Sequence, residues 1–373
     1  MFVFRREDLP PDPVFPADLE KLGYFINEND QIKKISDPEQ DFQFKVNKNP
    51  RWNEMQREAM NECIRNIVSA RLRNLGLALL QLPLHSQPKT PRVPILVSKN
   101  LSTASRIILV FGEPVQDLGI WAYRVVGTEG INAGSAVSLA EAIFKPNPGG
   151  DATKAHNYSK TALVLANTGQ LVWHCASGRA VTLPSWSSLA RDSAVDPPPV
   201  MTWRNEIPHN RNWQEHVGCV FNEVLAARGK FVRKDIKIDV IGLAEGGLGA
   251  IRYLANNCNP YISAICLSNP LHTSERDLMG HDTELSQSSF AAFLASRCRA
   301  YLLSPHPLGF PLSDTQKHGC NCYSSGEELY EECIMPKAWK HMIGWLNWTY
   351  EDPDRCEEQL EVREVDPKIS EVE

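Results

Sequence analysis

The segment Asp239–Gly247, DVIGLAEGG, follows the apolar run Ile236–Ile241 and leads into Leu248–Leu254. A buried strand, a glycine-tight turn and a helix together can lift one side chain above a sheet and hold it for nucleophilic attack. Gly242 and Gly246 are the small residues needed two positions either side of the apex, where backbones crowd. The apex is Ala244, whose methyl group can neither be deprotonated nor attack a carbonyl. Glu245 is a poorer apex, because centring the turn on it puts Leu243 in the crowded position. The plainer alternative is that Gly246 and Gly247 merely let a helix pack tightly after a strand.

Acyl transfer at such a turn needs further groups, and each is missing in the same direction. The loop after the strand Arg106–Phe111 should donate backbone N–H groups to an oxyanion. It reads Phe111-Gly112-Glu113-Pro114, so Glu113 brings negative charge and Pro114 has no N–H. An acid is expected after the strand Ile262–Leu267, where Ser268-Asn269-Pro270-Leu271-His272 stands. A base is expected before the last helix, but Tyr323–Cys333, YSSGEELYEEC, has no histidine. The sequence therefore predicts a kept architecture, lost chemistry and no catalytic residue. A relocated base would be Glu245 or His272; alternatively the degenerate pocket, drawn from Gly112, Glu113, Glu245, Gly246, Gly247 and His272, would serve a small-ligand-binding module. His272, His281 and Asp282 suggest such a base, although a loop histidine making an ordinary hydrogen bond is the simpler reading.

The elements that must position this turn alternate along the chain. Trp52–Leu80 carries apolar residues at helical spacing and stops before Pro83. Apolar strands at 106–111, 162–166, 236–241, 262–267 and 300–303 interleave with helices at 135–144, 213–227, 248–254, 290–297 and 339–348. That pattern predicts an α/β fold, α/β-hydrolase-like, with a mostly parallel sheet and helices on both faces. One domain over 13–350 is expected, after an N-terminal tail (1–12) and with a strand near 42–46. Residues 168–212 form an irregular insertion over the strand ends.

Composition narrows the function classes. The 373 residues carry a net charge of −6, but 351–373 hold ten acids against Arg355, Arg363 and Lys368. That is −7 in the tail and +1 in the other 350 residues, so no broad phosphate-binding field is implied. The tail is expected to be disordered. No apolar segment reaches about 18 residues, the start MFVFRREDLPPD lacks a signal-like apolar run, and the cysteines are scattered as in a reducing compartment. Cys320, Cys322, His318 and Cys333 form one weak knuckle, so no metal and no cofactor are expected. Trp186, Trp203, Arg204, His209, Arg211 and Trp213 interleave aromatic and basic groups. They are suited either to stacking on single-stranded RNA or to pinning the insertion to the core, and packing is favoured. Arg297, Arg299 and the Arg71–Arg73 pair read as solvated.

The order of these pieces resembles the Argonaute-binding "Arb-two" domain over roughly residues 13–350. It is carried by FPADLEKLGYFINENDQIKKI, FQFKV, RWNEMQREAM, IILVFGE, GIWAYRVV, LVLANTGQLVW, RAVTLPSW, IPHNRNWQEHVGCVFNEVL, the glycine turn, AICLSNPLH, YSSGEE and a Trp-rich terminal helix. The resemblance implies a non-catalytic scaffold in small-RNA silencing or heterochromatin formation, in nucleus and cytoplasm. Argonaute and a second chaperone subunit, or silencing and deacetylase-complex proteins, would be its partners. In relatives with a hydrolase-like turn, a histidine, a serine and an aromatic residue precede the two glycines; here these are Leu243, Ala244 and Glu245. The His-Gly of the oxyanion strand corresponds to Phe111-Gly112, an aspartate to Asn269, and a late histidine falls at or near Tyr330.

Overall fold

A computed structural model describes residues 12–145, 160–193, 196–197, 199–227, 229–257, 260–278 and 284–360, with the backbone alone at 284–288. An N-terminal three-stranded sheet joins β1 (Tyr24–Ile26), β2 (Ile32–Lys34) and β3 (Asp37–Asp41). The chain then supplies β4 (Leu77–Leu82), β5 (Val93–Ser98), β6 (Arg106–Phe111) and β7 (Thr161–Leu165). A hairpin of β8 (Val172–His174) and β9 (Arg179–Val181) lies within the insertion. The remaining strands are β10 (Lys237–Leu243), β11 (Ile262–Ser268), β12 (Cys298–Leu302), β13 (Pro311–Leu312) and β14 (Asn321–Ser324).

Nine of these form one sheet in the order β13-β14-β12-β11-β10-β6-β7-β5-β4. The six strands from β14 to β7 run parallel, whereas β5 is antiparallel to both β4 and β7. This is an α/β-hydrolase arrangement. Its central strands are apolar without alternation because both faces are covered: every residue of β6 and β7 is buried. Leu109 and Phe111 face one layer with the helices Trp213–Cys219, Ala244–Asn256 and Glu284–Arg297. Ile108 and Val110 face the other, made by Pro50–Asn74, Val137–Phe144 and Ile334–Glu351.

Four local readings are corrected. The first helix ends at Asn74, not Leu80, because Gly76 takes φ +100° and turns the chain into edge strand β4. No strand forms at 42–46; Phe42 and Phe44 pack edge to face instead, and DPEQD forms β3 against β2. The start of the acidic tail is docked: Glu357 accepts from Arg299 Nε at 2.6 Å, Asn321 Nδ2 at 3.0 Å and Tyr323 Oη at 3.4 Å. Arg299 is accordingly half-buried beside Tyr323 and Trp345, and Arg71 pairs with Asp30 at 2.7 Å, so neither is simply solvated. Residues 361–373 and 1–11 lie outside the described residues.

Candidate functional site: a strained turn at the end of β10

β10 ends at Leu243 and the helix Ala244–Asn256 starts at the next residue. Ala244 has φ +43°, a left-handed conformation that costs a non-glycine residue about 1–2 kcal/mol. It is buried, so the methyl crowns the turn rather than projecting into solvent. The flanking glycines are required by close approach. A Cβ on Gly242 would overlap Gly247 Cα, and one on Gly246 would overlap the Gly112 carbonyl oxygen and crowd Phe111. The turn is thus wedged against the end of β6, and its register is the one in which Ala244, not Glu245, is the apex.

Around that apex the structure gathers carboxylates. Burial pushes the Glu113 carboxyl up to about 7, reinforced by the like charges of Glu245, Glu332 and Glu331. Asn269, at φ +50° just after β11, donates from Nδ2 to Glu331 Oε2 at 2.8 Å. It acts there as an amide donor. Arg124 bonds Glu332 at 3.1 Å and lies 3.7 Å over the Tyr330 ring. The Tyr330 ring therefore serves as a platform for that guanidinium. Pro114 has no N–H to offer an oxyanion, and Thr168 Oγ1 ties down the Gly112 carbonyl at 2.6 Å. Glu113, Gln116, Asp117, Trp121 and Thr168 help line a cavity of about 10 Å³ between these loops, the size of one water molecule.

His272 is not part of this constellation. It donates from Nε2 to the His318 carbonyl at 2.8 Å, while His318 Nδ1 donates to the His272 carbonyl at 2.8 Å. Burial lowers its pKa to about 4, so it is a neutral, structural imidazole. No hydrogen bond joins it to Glu245 among the described residues. His281 and Asp282 lie outside them. The zinc-like set also fails to converge: Cys320 and Cys322 sit in the main core, whereas Cys333 belongs to a separate cluster with Ala122 and Val125.

The insertion divides its aromatic residues. Trp186 is buried and donates from Nε1 to the Pro199 carbonyl, and Trp213 packs on Gly249 of the helix behind the turn. Trp203 is 76% exposed, contrary to the packing expected of it. The cause is local: Thr202 and Asn205 form a capping box that fixes a one-turn 3₁₀ helix, leaving Trp203 outward beside Arg204. His209 and Arg211 are also exposed, with Arg211 paired to Glu215. Sequence reasoning missed His216. Its Nε2 accepts from the Asn167 N–H at 2.9 Å and its Nδ1 donates to Asn210 Oδ1 at 2.7 Å, joining the two ends of the insertion. It also missed Arg124, Glu331 and Glu332, whose roles arise only when the sheet brings their loops together.

The family model described as the Arb2 domain matches residues 15–308. The Cotranscriptional regulator ARB2A homolog of Xenopus tropicalis is 32% identical over 146 residues, which is 38% of this chain and 34% of that relative. The Cotranscriptional regulator ARB2A of Homo sapiens is 29% identical over 136 residues, 35% and 32% of the two chains. The match therefore spans about a third of each of these relatives. Among solved structures, a histone deacetylase from Saccharomyces cerevisiae is similar at 12% identity and a TM-score of 0.41, over 77% of this chain and 96% of that one. Zea mays acyl-protein thioesterase 2 is similar at 13% identity and a TM-score of 0.36, over 69% and 99%. No helix among the described residues is long and apolar enough to cross a membrane. With the family's model running from the N-terminal sheet past β12, this chain belongs to the Arb2 domain family.

Proposed function

We propose that this protein is a non-catalytic adaptor in gene regulation, built on an α/β-hydrolase scaffold whose chemistry has been lost. The observation that carries this reading is Ala244 at φ +43° on the apex of an otherwise preserved turn. The backbone still adopts the strain that elsewhere presents a nucleophile, yet the side chain has no reactive atom. Pro114, in the loop facing that apex, has no N–H for the anion that acyl transfer would develop. The names of the ARB2A relatives, cotranscriptional regulators, support a nuclear regulatory role. Within it, the finer assignment is an Argonaute- and small-RNA-directed silencing complex, reached through protein contacts. Affinity purification from the native cell followed by mass spectrometry tests this. Recovery of Argonaute or transcription-coupled silencing factors is expected, and recovery of metabolic enzymes alone would overturn it.

One observation favours a second reading, a relocated enzyme. Glu113 titrates near neutrality and is half-buried at the turn, as a general base is. Turnover of any acyl or amide substrate that Glu113→Gln abolishes would select this reading over the adaptor.

A further inference from the structure

The two edges of the nine-stranded sheet are unlike. β13 is two residues long and begins with Pro311, which has no N–H to offer another strand. β4, LALLQL, has six residues, no charge and no proline, and pairs with β5 alone. The outward-pointing backbone groups of Leu77–Leu82 meet no backbone partner among the described residues. Leu79 is 48% exposed, and Ala78, Leu80 and Gln81 are half-buried. A long uncharged edge invites strand pairing, and chains commonly blunt it with charge, proline or a bulge. This one does so at β13 and not at β4.

Cations bracket the open edge. Leu77 pairs with Ser98 and Leu82 with Val93, so Lys99 and Arg92 stand one residue beyond either end. Arg73 closes the helix before Gly76 at the Lys99 end, and Lys89 lies in the β4–β5 loop at the Arg92 end. Arg73 bonds only the Ser69 carbonyl and Arg92 only the Gln87 carbonyl; none of the four cations has an acidic partner among the described residues. A two-fold antiparallel pair of β4 strands would set cation against cation at both ends, which disfavours a second copy. We propose that β4 is a strand-addition site for an extended partner segment that is apolar in its middle and acidic at both ends. Main-chain hydrogen bonds to β4 supply affinity, and the bracketing cations set register and charge preference. The inference goes beyond the adaptor reading and holds whether or not the turn is inert.

The test uses the full chain and two fluorescein-labelled peptides, EEVTVTVEE and its charge-reversed counterpart KKVTVTVKK, followed by fluorescence anisotropy. The acidic peptide is expected to bind, and about tenfold more weakly when salt rises from about 0.05 to about 0.3 M. Arg73→Ala with Lys99→Ala, and separately Lys89→Ala with Arg92→Ala, should each weaken it several-fold with Tm unchanged. Leu79→Glu should abolish it, and bound peptide should slow amide exchange along Leu77–Leu82. Equal binding of both peptides, or of neither, overturns the proposal. So does self-association of the free chain that Leu79→Glu removes in sedimentation, which would assign the edge to a second copy.

Discussion

Ala244 and Gly246 show what the packing of this turn demands of its backbone. The strain at Ala244 and the close approach at Gly246 belong to the packing of the turn against β6, whatever side chain stands at the apex. Gly246→Ala forces a methyl into the Gly112 backbone and should destabilise the fold by about 3 kcal/mol or more. Gly344, in the last helix with open space around it, is the control: Gly344→Ala should stabilise by about 1 kcal/mol. Urea denaturation of both variants reads the contrast. Glu113 gives a pH signature. Its carboxyl titrates at about 7 in the fold against 4.5 ordinarily, so between those values the folded chain holds a proton that the unfolded chain has lost. Stability therefore falls as pH rises through that window. Glu113→Gln should be more stable than the parent above pH 7, by as much as about 3 kcal/mol, and the difference should vanish below pH 4.5. The glycine spacing made the apex legible in sequence. The acidic surround was not, because Glu113, Glu245, Glu331 and Glu332 lie on three separate connections that the fold brings together.

At the scale of elements, the insertion is tied down at its base while one turn of it is left outward. His216 holds the insertion's two ends through Asn167 and Asn210. Burial lowers its pKa to about 3 from 6.5, so the unfolded chain binds a proton that the folded chain refuses between those values. Its contribution is full above pH 6.5 and is lost as pH falls towards 3. His216→Ala strands a buried amide N–H and an amide oxygen, and should cost about 2–4 kcal/mol at neutral pH. The same variant should show a shallower loss of stability on acidification, measured by chemical denaturation across the window. The alternation of strands and helices was readable because the central strands are continuous apolar runs. β4 was not: LALL continues the helical spacing of the preceding residues, and the single Gly76 that redirects the chain looks like an ordinary helix glycine in sequence. Trp203 was misjudged for a related reason, since a local capping box fixed its direction more strongly than its hydrophobicity did.

Across the whole molecule, the acidic segment after the last helix is partly a structural strap. Glu357 is half-buried against Arg299, Asn321 and Tyr323, and Leu360 N–H bonds Asn321 Oδ1 at 3.0 Å. Glu357→Ala leaves Arg299 without its carboxylate and should lower stability by about 2–4 kcal/mol in urea denaturation. A charge count alone made this stretch look like solvated tail, because a carboxylate's burial depends on a cation 58 positions earlier in the chain. The parallel run of the central strands, by contrast, was legible because each is a continuous apolar segment. One covered sheet thus carries a strained turn with Ala244 at its apex. The most direct test is turnover of a panel of short acyl esters and thioesters by the purified chain, alongside Ala244→Ser. No rate above buffer is expected from either protein, since a hydroxyl alone restores neither base nor oxyanion donors. Turnover by the parent chain that Glu113→Gln or Glu245→Gln abolishes would contradict the account.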